Sequence, residues 1–253
     1  MEHKVTHFMY VPFTGLGLYG GHRGARWLRN RIQVFKQFVV PSLCAQTEKN
    51  FILWISWRFE DRYDPQVVGL SQWLEKTGLK YVFTFEGVCF YDDKYSDAEA
   101  YERLVNAVHR SMGTLYNVMG ESDTILMTIQ PSDDCYSSTT VERIQKVFEE
   151  RPRIQAVGYQ KGFIMNYATK EVNLYTPTTN PPFYTIKFPR EVFTDPRKHM
   201  EYTSIKRDVG KYKKGTPIPS HEYVPDALNF LPLLERGFLV GCHGENISTH
   251  FNH

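Results

Sequence analysis

Short, almost wholly apolar runs alternate along this chain with longer stretches in which apolar residues return every three or four positions. The first rhythm predicts strands covered on both faces, the second amphipathic helices. KVTHFMYVPF, NFILWISW, KYVFTFEG and DTILMTI are the strand-like runs of the first half. Between them the pattern predicts a helix over residues 27–45, with Ile32, Phe35, Val39 and Leu43 near one face. A second helix, PQVVGLSQWLEKTG, ends at Gly78, and a third covers the long DAEAYERLVNAVHRSMGTLYNVMG. Such alternation predicts an α/β fold with a mixed, mainly parallel central sheet flanked by helices.

Beyond residue 135 the pattern changes. SSTTVERIQKVFEER reads as a helix capped by a hydroxyl residue, and IQAVGYQKGFIMNYATKEVNLYT as a β-hairpin turning near ATKE. A proline-rich connection, TPTTNPPF, leads to a strand-like YTIKFPREVF. A basic loop, SIKRDVGKYKKGTPIPSHEY, then precedes a short helix and a last strand, FLVGCHGENIST. Neither an internal repeat nor a clear linker separates the halves, so residues 1–253 are read as one domain.

Composition narrows the partners. The 30 Lys and Arg against 28 Asp and Glu leave a formal charge of +2, too little for the basic face of a nucleic-acid binder. Four cysteines stand apart without a Cys-x-x-Cys pair, each beside apolar residues, as reduced core thiols do. No apolar run approaches the ~18 residues of a membrane span, and MEHKVTHF lacks the features of a signal peptide. The expectation is a cytoplasmic protein without a transmembrane segment.

The candidate chemistry sits where DTILMTI runs into Gln130, Pro131, Ser132, Asp133 and Asp134. Ligands of open α/β sheets bind outside the carboxyl ends of the strands, so two carboxylates there suit a divalent cation bridging a pyrophosphate. Asp133 and Asp134 could equally form the turn and N-terminal cap of the next helix. In the glycine-rich TGLGLYGGHRGARWLRNR, Arg23 and Arg26 are the guanidinium groups placed to meet a diphosphate. Arg29 and Arg31 read as an exposed helical face.

WLRNRIQVFKQFVVPSLCAQTEKNFILWISW, SDTILMTIQPSDD, the Asn-Pro-Pro-Phe run and HGENIST, in that order, resemble a rhamnosyltransferase family of GT-A-type glycosyltransferases. The resemblance spans most of the chain. It implies a GT-A-like nucleotide-diphospho-sugar transferase fold, with residues 1–135 as the nucleotide-sugar-binding half and 136–253 as the acceptor side. It implies transfer of a sugar, rhamnose by the family's name, from a nucleotide-sugar donor to a saccharide or other hydroxyl acceptor. The family closes its fourth strand with Asp-any-Asp-Asp, and this chain departs from that pattern with Pro131 in the leading position. On the resemblance, Asp133 and Asp134 hold a divalent metal, Mn²⁺ or Mg²⁺, with His243 as a third ligand, and Thr6 opens the strand that contacts the nucleoside.

An inverting transfer also needs a base for the acceptor hydroxyl. The resemblance places it near the start of a late helix, where PSHEYVPDAL offers Glu222 and Asp226. Phe183 and Tyr184 are the rings that could stack on an acceptor sugar. Two other classes stay in view. A hydrolase would need its acids on opposite sides of a glycosidic bond, which adjacent residues do not provide. A non-catalytic nucleotide-sugar or carbohydrate-binding protein of the same fold would keep the site and lose the turnover.

Overall fold

The computed structural model describes residues 4–14, 24–87, 96–206, 217–219, 221–243 and 251. The predicted strands of the first half form as β1 (Val5–Val11), β2 (Ile52–Arg58), β3 (Tyr81–Gly87) and β4 (Thr124–Ile129), paired in parallel. The predicted helix over 27–45 is a helical run of three parts. α1 (Gly24–Val34) passes into a wide π-type turn, Phe35–Val39, and then into α2 (Val40–Cys44). Pro41 has no N–H to donate one turn back, and the run widens just before it. α3 (Pro65–Leu74) starts at Asp64, whose carboxylate accepts from the Gln66 N–H at 2.8 Å. The short 3₁₀ turn after α3 stops at Gly78, which takes a left-handed φ of 77°. α4 (Asp97–Met119) opens with a reciprocal capping box between Ser96 and Glu99.

The second half continues the same sheet. β5 (Cys135–Tyr136) and α5 (Thr140–Glu150) follow β4, and the hairpin forms from β6 (Ala156–Asn166) and β7 (Val172–Tyr175). The hydroxyl cap expected for α5 is replaced: Thr139 makes no capping bond, and Gln46, just beyond α2, accepts from the Val141 N–H at 3.0 Å. The strand-like YTIKFPREVF divides into β8 (Tyr184–Pro189) and the single-turn α6 (Arg190–Phe193). α7 (Pro196–Thr203) leads to a small separate ribbon of β9 (Ser204–Lys206) and β10 (Pro217–Pro219), and residues 207–216 of the basic loop lie outside the described residues. α8 (Val224–Ala227) precedes β11 (Phe230–Cys242), which starts well before the predicted last strand.

Among the described residues the main sheet runs β3-β2-β1-β4-β8-β6-β11-β5, with β7 beside β6. Both halves therefore share one sheet. Alternate residues of β1 serve its two faces. Met9 and Val11 join Leu28, Ile32, Leu70 and Ile144 under α1, α3 and α5, while Phe8 and Tyr10 join Leu104, Val108 and Met112 under α4. Strand order reverses at β1, which has β2 on one side and β4 on the other. The crevice outside the carboxyl ends of β1 and β4 is thus the switch point at which open α/β sheets bind ligands. Among the described residues no helix is long and apolar enough to cross a membrane.

Candidate functional site

The two aspartates in the bend after β4 point to different partners. Asp133 forms an ion pair with Arg31 of α1, and its Oδ2 lies 3.1 Å from Nε2 of His243, just past β11. Asp134 turns the other way, where its Oδ1 accepts from the Gly241 N–H at 2.9 Å. The pairing of β5 with β11 sets Cys135 opposite Leu239, and that register carried on brings Gly241 opposite Asp133. A Cβ at position 241 would overlap the Tyr167 ring and the Asp133 carbonyl, so only glycine fits. Neither aspartate caps α5.

An aromatic wall holds this turn in place. Tyr167 donates its hydroxyl to the Asp133 carbonyl at 2.7 Å and stacks on Phe38 of the wide turn, with centroids 3.7 Å apart and planes 7° from parallel. The Cys135 thiol donates to the Phe38 carbonyl at 3.4 Å, and the Gln130 amide donates to the carbonyls of Pro131 and Asp134, each at 2.8 Å. Cys44, Cys135 and Cys242 are free thiols, and burial pushes that of Cys135 up to about 11.

The electrostatics separate the two acids. Burial pushes the Asp133 carboxyl up, but the His243 hydrogen bond and the Arg31 charge outweigh it and hold the group below its ordinary range. Burial and the neighbouring Asp133 charge push Asp134 well above that range, against the pull of the Gly241 N–H and Arg31. Arg31 is only 5% exposed, lies beside the Trp27 ring, and its Nε has no hydrogen-bond partner among the described residues.

Arg31 is the residue that sequence reasoning misplaced. Its expected exposed face is instead the buried stripe Leu28, Arg31 and Ile32, and the signal was its spacing from Leu28 and Phe35. Arg26, expected at the diphosphate, is exposed on the same helix, and Arg23 lies outside the described residues. Thr6 sits at the opening of β1, the end away from Asp133, and its hydroxyl meets Ser122 at 2.7 Å and the Met119 carbonyl at 3.1 Å. Its bonds there join β1 to the end of α4. A further polar cluster stands at the carboxyl ends of β1 and β2, where the Thr14 hydroxyl donates to the buried Asp61 carboxylate at 2.5 Å and Arg58 pairs with Asp61 at 3.1 Å.

On the acceptor side, Phe183 is enclosed: its ring lies flat on Phe238, with centroids 3.9 Å apart, and edge-on to Tyr136. Both its faces serve the core. Tyr184 is half-buried, and burial raises its phenol. Glu222 and Asp226 are exposed in the turn and short helix ahead of β11, while Gly241 and His243 close the other end of that strand. His221 fastens the turn to the Asn-Pro-Pro-Phe run: the Asn180 amide donates to the His221 carbonyl, and the His221 Nδ1 meets the Asn180 carbonyl, each at 2.6 Å.

Asp133 and His243 could offer two ligands to a divalent cation, but Oδ2, the oxygen facing His243, is the one that Arg31 occupies. Asp134 is committed to Gly241, and among the described residues no group of three His, Cys, Asp or Glu side chains is placed to hold a metal. The residues present therefore do not form a ready cation site.

Three solved structures align with most of this chain at low sequence identity. The Staphylococcus aureus TarS 1–349 structure in complex with UDP aligns with 94% of this chain at 11% identity and a TM-score of 0.43. A second S. aureus TarS structure aligns with 96% at 11% identity and a TM-score of 0.42. A protein assigned as a nucleotide-diphospho-sugar transferase from Desulfovibrio desulfuricans G20 aligns with 91% at 15% identity and a TM-score of 0.38. The chain spans 60% of the TarS 1–349 structure and 37% of the second TarS structure. No family model matches the sequence, and no curated protein does.

Proposed function

We propose that this protein is a glycosyltransferase that takes a sugar from a nucleoside-diphosphate donor. The observation that carries the reading is the buried Arg31–Asp133–His243 cluster at the switch point of the sheet, where a cationic fork is aimed by a carboxylate and an imidazole. Such a fork suits the pyrophosphate of a donor and the charge that grows on it as the sugar departs. The order of motifs along the sequence supports the same reading.

The finer reading takes rhamnose as the sugar, a saccharide or other hydroxyl compound as acceptor, and an inverting displacement. In it Asp226 or Glu222 removes the acceptor proton as the anomeric carbon is attacked from the face opposite the leaving diphosphate. For either acid to serve, its carboxylate has to come within hydrogen-bond reach of the acceptor hydroxyl that attacks the anomeric carbon. A binding protein without turnover is the second reading, favoured by Pro131 and by an Asp133 oxygen that is already engaged. A panel of nucleotide sugars tested for thermal stabilisation, followed by product analysis with those that bind, decides between them. Stabilisation without hydrolysis or transfer supports the second reading. No stabilisation by any donor overturns both.

A further inference from the structure

We propose that Arg31 occupies the role that a divalent cation would hold at this site, so that a nucleoside diphosphate binds here without metal. This inference rests on the glycosyltransferase reading. A cation site needs several anionic oxygens converging on one point and left uncompensated by the protein, and among the described residues no three His, Cys, Asp or Glu side chains converge in that way. Asp133 Oδ2 faces both Arg31 and His243, Asp134 Oδ1 accepts from the Gly241 N–H, and Pro131 stands where the resemblance would put a further acid. A divalent ion at Asp133 would also stand against a buried guanidinium of like sign.

Arg31 itself has the features of a ligand group. Its position on the buried stripe of α1 brings it against Asp133, just past the carboxyl end of β4. Its Nε remains a buried donor with no partner among the described residues, and a buried donor without a partner costs free energy that an incoming oxygen would recover. A planar guanidinium can also grip a phosphate with two parallel N–H bonds, which no single lysine can. Asp133 and His243 then act as positioning residues: His243 holds Asp133, and Asp133 aims Arg31. Trp27 and the Phe38–Tyr167 stack fix the walls around them.

The test is calorimetry on the full chain with UDP, GDP and dTDP, in EDTA and again with Mn²⁺ or Mg²⁺. The proposal expects at least one diphosphate to bind in EDTA with an affinity within about threefold of that with metal, and Arg31→Lys or Arg31→Met to weaken it about tenfold or more. Binding that appears only with metal overturns the role of Arg31 and leaves the transferase reading standing. Failure of every diphosphate, with and without metal, overturns both. Unchanged binding in folded Arg31 variants likewise overturns the proposal. Should the variants fail to fold, the wild-type comparison in EDTA decides it, joined by a direct Mn²⁺ titration of the nucleotide-free protein, in which the proposal expects no stoichiometric binding.

Discussion

The backbone N–H of Gly241 donates to the Asp134 carboxylate at 2.9 Å, joining the turn after β4 to the end of β11. Tyr167 and the Asp133 carbonyl fill the space beside it. Gly241→Ala should therefore push the two segments apart and destabilise the protein by about 1–3 kcal/mol, as overfilling of a packed interior does. Urea denaturation measures it; an unchanged midpoint would mean that the two segments are not in contact.

Arg31 and Asp133 should be coupled through their ion pair. Asp133→Asn leaves a buried guanidinium without its counter-charge, and a loss of about 3 kcal/mol or more is expected. Arg31→Met combined with Asp133→Asn should cost much less than the sum of the single changes. A double-mutant cycle in urea gives the coupling, and additive losses would show that the two groups do not meet.

Tyr167→Phe keeps the ring on Phe38 and removes only the hydroxyl that donates to Asp133. A loss of about 1 kcal/mol is expected, together with weaker nucleoside-diphosphate binding because the Asp133 turn loosens. Tyr167→Ala should cost several times more. Equal losses in the two variants would place the whole contribution in the hydroxyl.

Two buried histidines should make stability fall with acid. Burial lowers His7 from 6.5 to about 3, and burial likewise lowers His199 from 6.5 to about 4. Both folded values lie below the unfolded one, so the unfolded chain binds more protons. Their contribution is present above pH 6.5 and is lost as pH falls towards 4 and 3. Each adds a slope of about 1.4 kcal/mol per pH unit between the two values. Comparing urea midpoints at pH 7 and pH 5 for the wild type and His199→Gln checks the sign and the share, and a variant with the wild-type slope would remove His199 from the account.

If Asp226 or Glu222 is the acceptor base, Asp226→Asn or Glu222→Gln should lower turnover by ~10²–10⁴ and leave donor binding intact, since an amide keeps the shape but cannot take the proton. Rate and donor affinity measured side by side separate the two effects. Near-normal turnover in both variants would take the base away from this turn.

The sequence by itself determined the strands and helices around the switch point. β1, β2 and β4 are covered on both faces and so read as continuous apolar runs, while α1 to α4 carry their buried stripe at helical spacing. Those signals are local, because burial is repeated at neighbouring positions. The placing of Asp133 at a strand end was legible for the same reason. What the tertiary structure decided is which charges meet there. Arg26, Arg29 and Arg31 are alike as residues, and only the rotation of α1 against the sheet buries the third and exposes the other two. Burial of Arg31 is tolerable only because Asp133, from a distant part of the chain, supplies the opposite charge. Phe183 shows the same dependence in reverse: an aromatic run that could serve a sugar or the core went to the core because Phe238, on a strand remote in sequence, covers its face. A residue's chemistry is written locally, but its partner is chosen by contacts that no short window of sequence contains.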